Sequence, residues 1–458
     1  QIMLSYRLAI ALAAALVTQV AIAADGVIRG TVANVNNRAE AGVWVIAETD
    51  DLPTNFRKIV VTDNAGRFVL PELPAAQYAV WVRGYGLLDS AKIAAKPGDT
   101  IELEVRTAGS PAEAARIYPA NYWTSMMEVP SQAALKDAEH RYDSPGAWSN
   151  QFKLNCIICH QPGSAVTRFA GREVFDHGLK KSALMDMLAR QLNRDVTLDV
   201  LETWGEQLAA GNTPDSVPPR PQGIERNFVI TQWQYGERYT YAHDVISTDK
   251  RNPTLYPEAK IYGLDIGNDH LLVMDPKANT WEKIKLPAWE NAKPWCEQTY
   301  KPLGSEEIVS VGAEMLGCPV EGLETMHPGA YNNPVNPHNP MFDDSGKVWM
   351  TMQIRREWGE DLPDFCQKDP FISSYYHHRQ LGYYDTKSGE IVPVDTCFGT
   401  HHLQFDDKGV LWVNGDVRAV GRRATHDREL TGSAWSGGPI VWFLARADGR
   451  PDVPAEDV

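Results

Sequence analysis

Five consecutive positions, Cys156-Ile157-Ile158-Cys159-His160, carry the most specific chemistry in the chain. Two thiols three positions apart lie about one helical turn from each other, so each can add across one vinyl group of a porphyrin. The imidazole that follows directly is placed to reach the iron from the same side. The spacing reads as the attachment site of a covalently bound haem c, with Cys156 and Cys159 as anchors and His160 as an iron ligand. Two other uses of such a pair compete. A thioredoxin-like dithiol stands beside a βαβ pattern, and residues 140–175 show none. A four-cysteine zinc site needs a second CxxC, and the next cysteine is Cys296.

A haem iron takes a sixth ligand or keeps an open position. Met126 and Met127 upstream, and His177, Met185 and Met187 downstream, carry suitable donors. Met185 and Met187 lie two apart on an expected helix and face different ways, so only one can point at the iron. Met187 shares a stripe with Leu184, Leu188 and Leu192, which selects it; plain core packing is the alternative. A His/Met pair would make an electron carrier, and an open position would suit peroxide or oxygen chemistry.

A second set of reactive residues is histidine. His243, His338 and His401 or His402 hold similar places, each ahead of a strand pattern. If those strands share a centre, the imidazoles converge, and convergent imidazoles bind a divalent metal or act as acid/base groups on a substrate. The alternative is a packing role, each ring bonded to a neighbouring strand. Arg355, Arg356 and Glu357 fall in a long expected loop over 355–378, where a solvated charge run is favoured over a role at the mouth.

The elements that must hold these residues follow from composition and pattern. At 458 residues the chain should form two to four domains. The segment after Met3 has a basic residue, an apolar run over 8–24 and an Ala21-Ile22-Ala23 end, the pattern of a signal peptide over 1–24. A membrane-anchoring helix is the alternative, but no basic cluster follows Asp25. Covalent haem attachment takes place outside the bacterial cytoplasm, so leader and haem motif support each other. A periplasmic or secreted location is expected, with no membrane span in the mature chain. Gln1-Ile2 ahead of Met3, and an end just after a hairpin pattern, suggest a fragment.

Cys296, Cys318, Cys366 and Cys397 are an even number suited to two disulfides in an oxidising compartment. They allow three pairings, of which sequence proximity favours Cys296–Cys318 with Cys366–Cys397; four buried thiols are the alternative. The charge balance, 44 Lys and Arg against 59 Asp and Glu, gives −15 and argues against nucleic acid or anionic membranes as partners. It suits docking to a basic redox partner protein.

The expected fold class is multidomain and mainly β: an N-terminal β-sandwich, a small α-helical cytochrome c domain and a C-terminal β-propeller. Residues 25–107 alternate apolar and polar positions between turn signals, as in a small antiparallel sandwich. Gly30-Thr31-Val32, Ala41-Gly42-Val43, Thr62-Asp63 with Gly66-Arg67-Phe68, and Leu73-Pro74 with Tyr78 make this stretch resemble the carboxypeptidase regulatory-like domain. That resemblance implies a transthyretin-like sandwich used for spacing or docking, with carbohydrate binding in some relatives.

Residues 110–225 turn helical, with candidates at 131–140, 175–194 and 198–210, and end in a proline-rich linker over 212–221. Residues 226–458 contain a repeat. His338, then Asp343-Asp344-Ser345-Gly346-Lys347-Val348-Trp349, matches His401, then Asp406-Asp407-Lys408-Gly409-Val410-Leu411-Trp412. Val273-Met274-Asp275 and Tyr383-Tyr384-Asp385 mark a second recurring hairpin, and Val441-Trp442-Phe443 a weaker copy. Two alternating hairpins per repeat fit a propeller blade. The unit resembles the streptogramin B lyase-like propellers, in which a histidine precedes the inner strand and Asp-x-x-Gly-x-x-Trp follows. In that group such histidines and a carboxylate support metal-assisted elimination, and His338 and His401 are the positions that match. His338 and His401 stand 63 positions apart, beyond the usual ~40–50 per blade. At that length seven blades do not fit the residues after the linker, so blades lie outside the sequence or the closing blades differ.

These readings converge on an exported haem c protein in electron transfer, or in haem-linked oxidation of a small organic substrate held by the propeller. A propeller lyase with an accessory haem, and a non-catalytic surface binding protein, are the rivals.

Overall fold

The computed structural model describes residues 26–136, 142, 144–157, 161–180, 183–237, 240, 242–290, 292–293, 299–300, 309–310, 333–354, 379–394 and 400–415. The described chain is mainly β, arranged as several separate sheets with short helices between them. It divides into two compact units, the first built from residues 26–51, 57–107 and 220–232, the second from 52–56, 108–219 and the remainder.

Strands β1 (Ile28–Asn34), β2 (Trp44–Thr49), β3 (Asn55–Val61), β4 (Arg67–Leu70), β5 (Tyr78–Arg83), β6 (Leu87–Leu88), β7 (Ile93–Ala95) and β8 (Thr100–Thr107) make the first unit. They form one sheet in the order β4-β1-β8-β6 and a second in the order β7-β5-β2-β3-β9, where β9 is Ile230–Gln234. Burial alternates with period two in β3 and β4, so each of these strands turns one side to the core and the other to solvent. Strands β1 and β8 run parallel with Gly30 opposite Ile101, and a Cβ on Gly30 would meet the Ile101 carbonyl at 2.0 Å, so only glycine fits there. Residues 220–232, which span the end of the linker and the boundary at 225/226 that composition suggests, belong to this compact unit. Arg220 makes the tie: its Nη1 donates to Glu40 Oε2 at 2.6 Å and its Nε to the Tyr85 carbonyl at 3.0 Å.

The second unit begins with α1 (Pro111–Ala115), α2 (Ala120–Thr124), α3 (Gln132–Lys136), α4 (Pro145–Cys156), α5 (Arg172–Leu179), α6 (Ala183–Gln191) and α7 (Arg194–Ala209). Local chemistry sets their ends. Ser144 caps α4 by accepting from the Ala147 N–H, with Pro145 in the first turn; Asn193 caps α7 by accepting from the Val196 N–H. The single helix expected over 175–194 is two, α5 and α6, and Gly178 weakens its continuation. Arg194 then joins three helices, bonding Asp176 of α5 at 2.7 Å and Asp186 of α6 from the start of α7. Two buried indoles complete the core, Trp148 donating to the Leu192 carbonyl and Trp204 to the Trp123 carbonyl, each at 2.9 Å.

The rest of the second unit is built from antiparallel meanders. Strands β10 (Ala242–Ile246), β11 (Ile261–Asp265), β12 (His270–Asp275) and β13 (Thr280–Lys285) pair in sequence order. After the short pair β14 (Thr299–Tyr300) and β15 (Val309–Ser310), the order repeats. It runs through β16 (His338–Phe342), β17 (Lys347–Gln353), β18 (Arg379–Asp385) and β19 (Ile391–Val394), then β20 (Thr400–Phe405) and β21 (Leu411–Gly415). One core joins Leu264 and Leu271 of the first meander to Phe342, Val348 and Met350 of the next. Another joins Met341, Trp349 and Leu381 to Leu403 and Leu411. The first strands β10, β16 and β20 are neighbours in that order. Among the described residues, no helix is long and apolar enough to cross a membrane. Residues 1–24, Arg355, Arg356, Glu357, Cys296, Cys318, Cys366, Cys397 and the 441–443 copy lie outside the described residues.

Candidate functional site

Two places in the second unit gather reactive side chains. The first is a cavity of about 350 Å³ among the helices. Cys156, the last residue of α4, lines it, together with Met127, His177 and Met185. Its walls are otherwise mostly apolar, with Phe152, Phe175, Leu192 and Trp204 among them. Among the lining residues, Val166, Phe169 and Val174 are 67%, 43% and 47% exposed, so part of the apolar lining faces water.

Helical geometry explains which donors reach this cavity. Met185, Leu188, Ala189 and Leu192 all line it, and they follow the i, i+3, i+4, i+7 spacing of one face of α6 continued through its last turn. Met187 is in α6, but its side chain lies outside the described residues, as do Cys159 and His160. Met185 is one of the donors singled out in the sequence, and the i, i+3, i+4, i+7 spacing that puts it on this face is present there.

Two polar features adjoin the apolar walls. Asn155 lines the cavity at 2% exposure; its Oδ1 accepts from Gln151 Nε2 at 2.6 Å, while its Nδ2 has no hydrogen-bond partner among the described residues. A buried donor at a cavity wall is available to an acceptor on whatever the cavity binds. Arg168, between the lining residues Thr167 and Phe169, lays its guanidinium over the Trp123 ring at 4.3 Å. Partial burial lowers its pKa from the usual arginine value.

The second place is the meeting point of β10, β16 and β20. His338, His401 and His402 bring one ring nitrogen each to within 4.8 Å of one another. Ring centroids are 4.6 Å apart for His338 and His401, 5.3 Å for His338 and His402, and 4.2 Å for His401 and His402. His338 is buried, His401 half-buried and His402 exposed. Of the four histidines singled out in the sequence, these three stand together. His243 is in β10, with its side chain outside the described residues.

Two residues that sequence reasoning passed over complete this place. Asp244 Oδ2 stands 3.5 Å from His338 Nε2 and accepts the Asn339 backbone N–H at 3.0 Å. Asn339 Oδ1 in turn accepts the Leu403 N–H at 2.6 Å, so β10, β16 and β20 are tied in series. Each directly follows a marked histidine, a signal that adjacency alone does not make specific.

No protein-family model matches the chain, and no curated protein is significantly similar to it.

Proposed function

We propose that this is an exported c-type haem protein that works in electron transfer or in haem-linked oxidation of a small organic substrate. The observation that carries the reading is that Cys156 of the CxxCH segment lines an apolar cavity shared with thioether and imidazole donors. A cavity of about 350 Å³ falls within the range of cofactor sites, and its apolar walls suit a porphyrin face. Such a group, when bound, supplies one-electron redox chemistry. Cys156 and Cys159 would hold it covalently, and His160 would ligate from one side. Met185, which lines the cavity, or Met187, which the apolar stripe selects, would ligate from the other side. The Asn155 amide N–H and the Arg168 guanidinium are donors available to carboxylates of the bound group.

On this reading the first unit is a carboxypeptidase regulatory-like sandwich that spaces or docks, and the helices form a cytochrome c domain. The meanders are propeller blades that hold the substrate. The excess of acidic residues suits a basic redox partner, and the apolar run over 8–24 with the CxxCH segment suits the periplasm or beyond. The test is expression in a bacterium able to attach c-type haem, followed by a reduced-minus-oxidised difference spectrum. Wild type should show a reversible haem signal, and Cys156→Ala should lose covalent attachment. A wild-type protein with no haem signal overturns the reading.

The cluster of His338, His401 and His402 favours a second reading, a metal-assisted lyase with an accessory haem. It requires turnover to survive the loss of Cys156 and Cys159, which the first reading forbids.

A further inference from the structure

We infer that His338, His401, His402 and Asp244 together hold one divalent transition-metal ion of the zinc class, in preference to magnesium or calcium. The inference rests on the second, metal-assisted reading of this cluster and stands apart from the haem reading.

The backbone is shaped for convergence. Pairing slips by one residue between Ala242 and Asp244 in β10, between His338 and Met341 in β16, and between Thr400 and Leu403 in β20. Consecutive residues on a regular strand point to opposite faces; the extra residue of a bulge breaks that rule and re-aims a side chain. This accounts for His401 and His402, sequence neighbours in a strand, having rings only 4.2 Å apart. Asn339, in the β16 bulge, takes a positive φ of 53°, which turns its backbone N–H onto Asp244.

The electrostatics point the same way. His338 Nδ1 is 3.3 Å from the His401 carbonyl oxygen, which can only accept, so Nδ1 carries the hydrogen. Thr351 Oγ1 donates to the same carbonyl at 3.2 Å and holds it in place. His338 Nε2 then turns its lone pair towards Asp244 Oδ2, 3.5 Å away. An imidazole nitrogen and a carboxylate oxygen at that distance can share one cation. Two more imidazoles bring a ring nitrogen each to within 4.8 Å of a His338 ring nitrogen and of one another. A metal ion can use the three imidazoles, with Asp244 beside His338, and the Nδ1–carbonyl bond is the usual outer support of a ligating histidine.

The donor set decides the class of ion. Three imidazole nitrogens and one carboxylate oxygen suit zinc and its first-row neighbours, whereas magnesium and calcium select oxygen ligands. Because His402 is exposed, the site opens to solvent, and a metal-bound water or a substrate carbonyl would be reachable there.

The test is calorimetric titration of untagged, chelator-treated full chain with zinc sulfate and, separately, with magnesium chloride. The inference predicts one zinc per chain, and magnesium in large excess should not displace it. His402→Ala and Asp244→Asn should each weaken zinc binding by about tenfold or more, with far-UV circular dichroism unchanged, while His270→Ala should match wild type. His402 is exposed, so that variant keeps the test open if Asp244→Asn fails to fold. Lack of stoichiometric zinc, equal competition by magnesium, or a site untouched in His402→Ala would overturn it. A colourless protein that still takes up zinc at these residues would overturn the haem reading alone.

Discussion

The Trp349 indole Nε1 donates to Asp343 Oδ2 at 2.9 Å across a hairpin that both residues help to shape. The other oxygen of Asp343 accepts the backbone N–H groups of Ser345 and Lys347 at 2.8 and 2.9 Å. One carboxylate thus closes the turn and satisfies a buried indole. The next hairpin repeats the device, with Trp412 donating to Asp406 Oδ2 at 2.9 Å and Lys408 and Val410 to Oδ1. Indole bonding holds the Asp406 carboxyl below its usual range, with the backbone bonds adding to the effect.

Asp343→Ala should therefore leave a buried indole N–H and two turn amides without their acceptor. Because Trp349 is 1% exposed, the expected cost is about 2–4 kcal/mol, read as a lowered denaturant midpoint. Asp406→Ala should cost less, because Trp412 is half-buried and water can replace the bond. Equal losses in the two variants would contradict this account of the repeat.

The repeat was legible in the sequence because the aspartate, glycine and tryptophan of each copy act within one hairpin. The tie of residues 220–232 to the first unit was not, since it depends on Arg220 meeting Glu40, 180 positions away. The bulges were equally silent: an extra residue in β20 has no compositional signal, so strand alternation alone would have separated His401 from His402. The apolar period over 175–194 was visible, but the stripe does not say where the helix breaks.

Met185 and Met187 are separated by spectroscopy of the loaded protein. Met185→Ala should abolish a methionine-to-iron charge-transfer band and lower the reduction potential, while Met187→Ala should leave the band in place. The reverse pattern would return the assignment to Met187.

Asp269 supplies a pH test. Its buried carboxylate accepts the Val335 and Asn336 N–H groups at 2.9 Å each, and burial pushes its pKa up from 3.8 to about 6. Between these values the native chain holds a proton that the unfolded chain has released. Its contribution to stability thus grows as pH falls from about 6 towards 4, and is constant above and below that window. Moving from pH 7 to pH 5 should favour wild type over Asp269→Asn by about 1 kcal/mol in chemical denaturation. A difference that shrinks on acidification would contradict the assignment.

Arg194 is the cation on which α5, α6 and α7 close. The Lys180 ammonium, with the Arg194 guanidinium beside it, holds the Asp176 carboxyl below its usual range. Asp186 is more deeply buried, its side chain only 5% exposed, so Arg194→Met leaves it relying on Arg190. A loss of about 2–4 kcal/mol is expected, seen as an earlier thermal transition in the helical signal. An unchanged transition would show that the apolar contacts of Trp148 and Trp204 suffice.

The most direct measurement is the mass of the intact, denatured polypeptide after acid–acetone extraction, from a host that attaches haem to CxxCH segments. The account predicts a chain heavier by one haem, coloured after extraction, with the added mass absent in Cys156→Ala. A chain at its plain polypeptide mass, with all colour in the solvent or none at all, would contradict it.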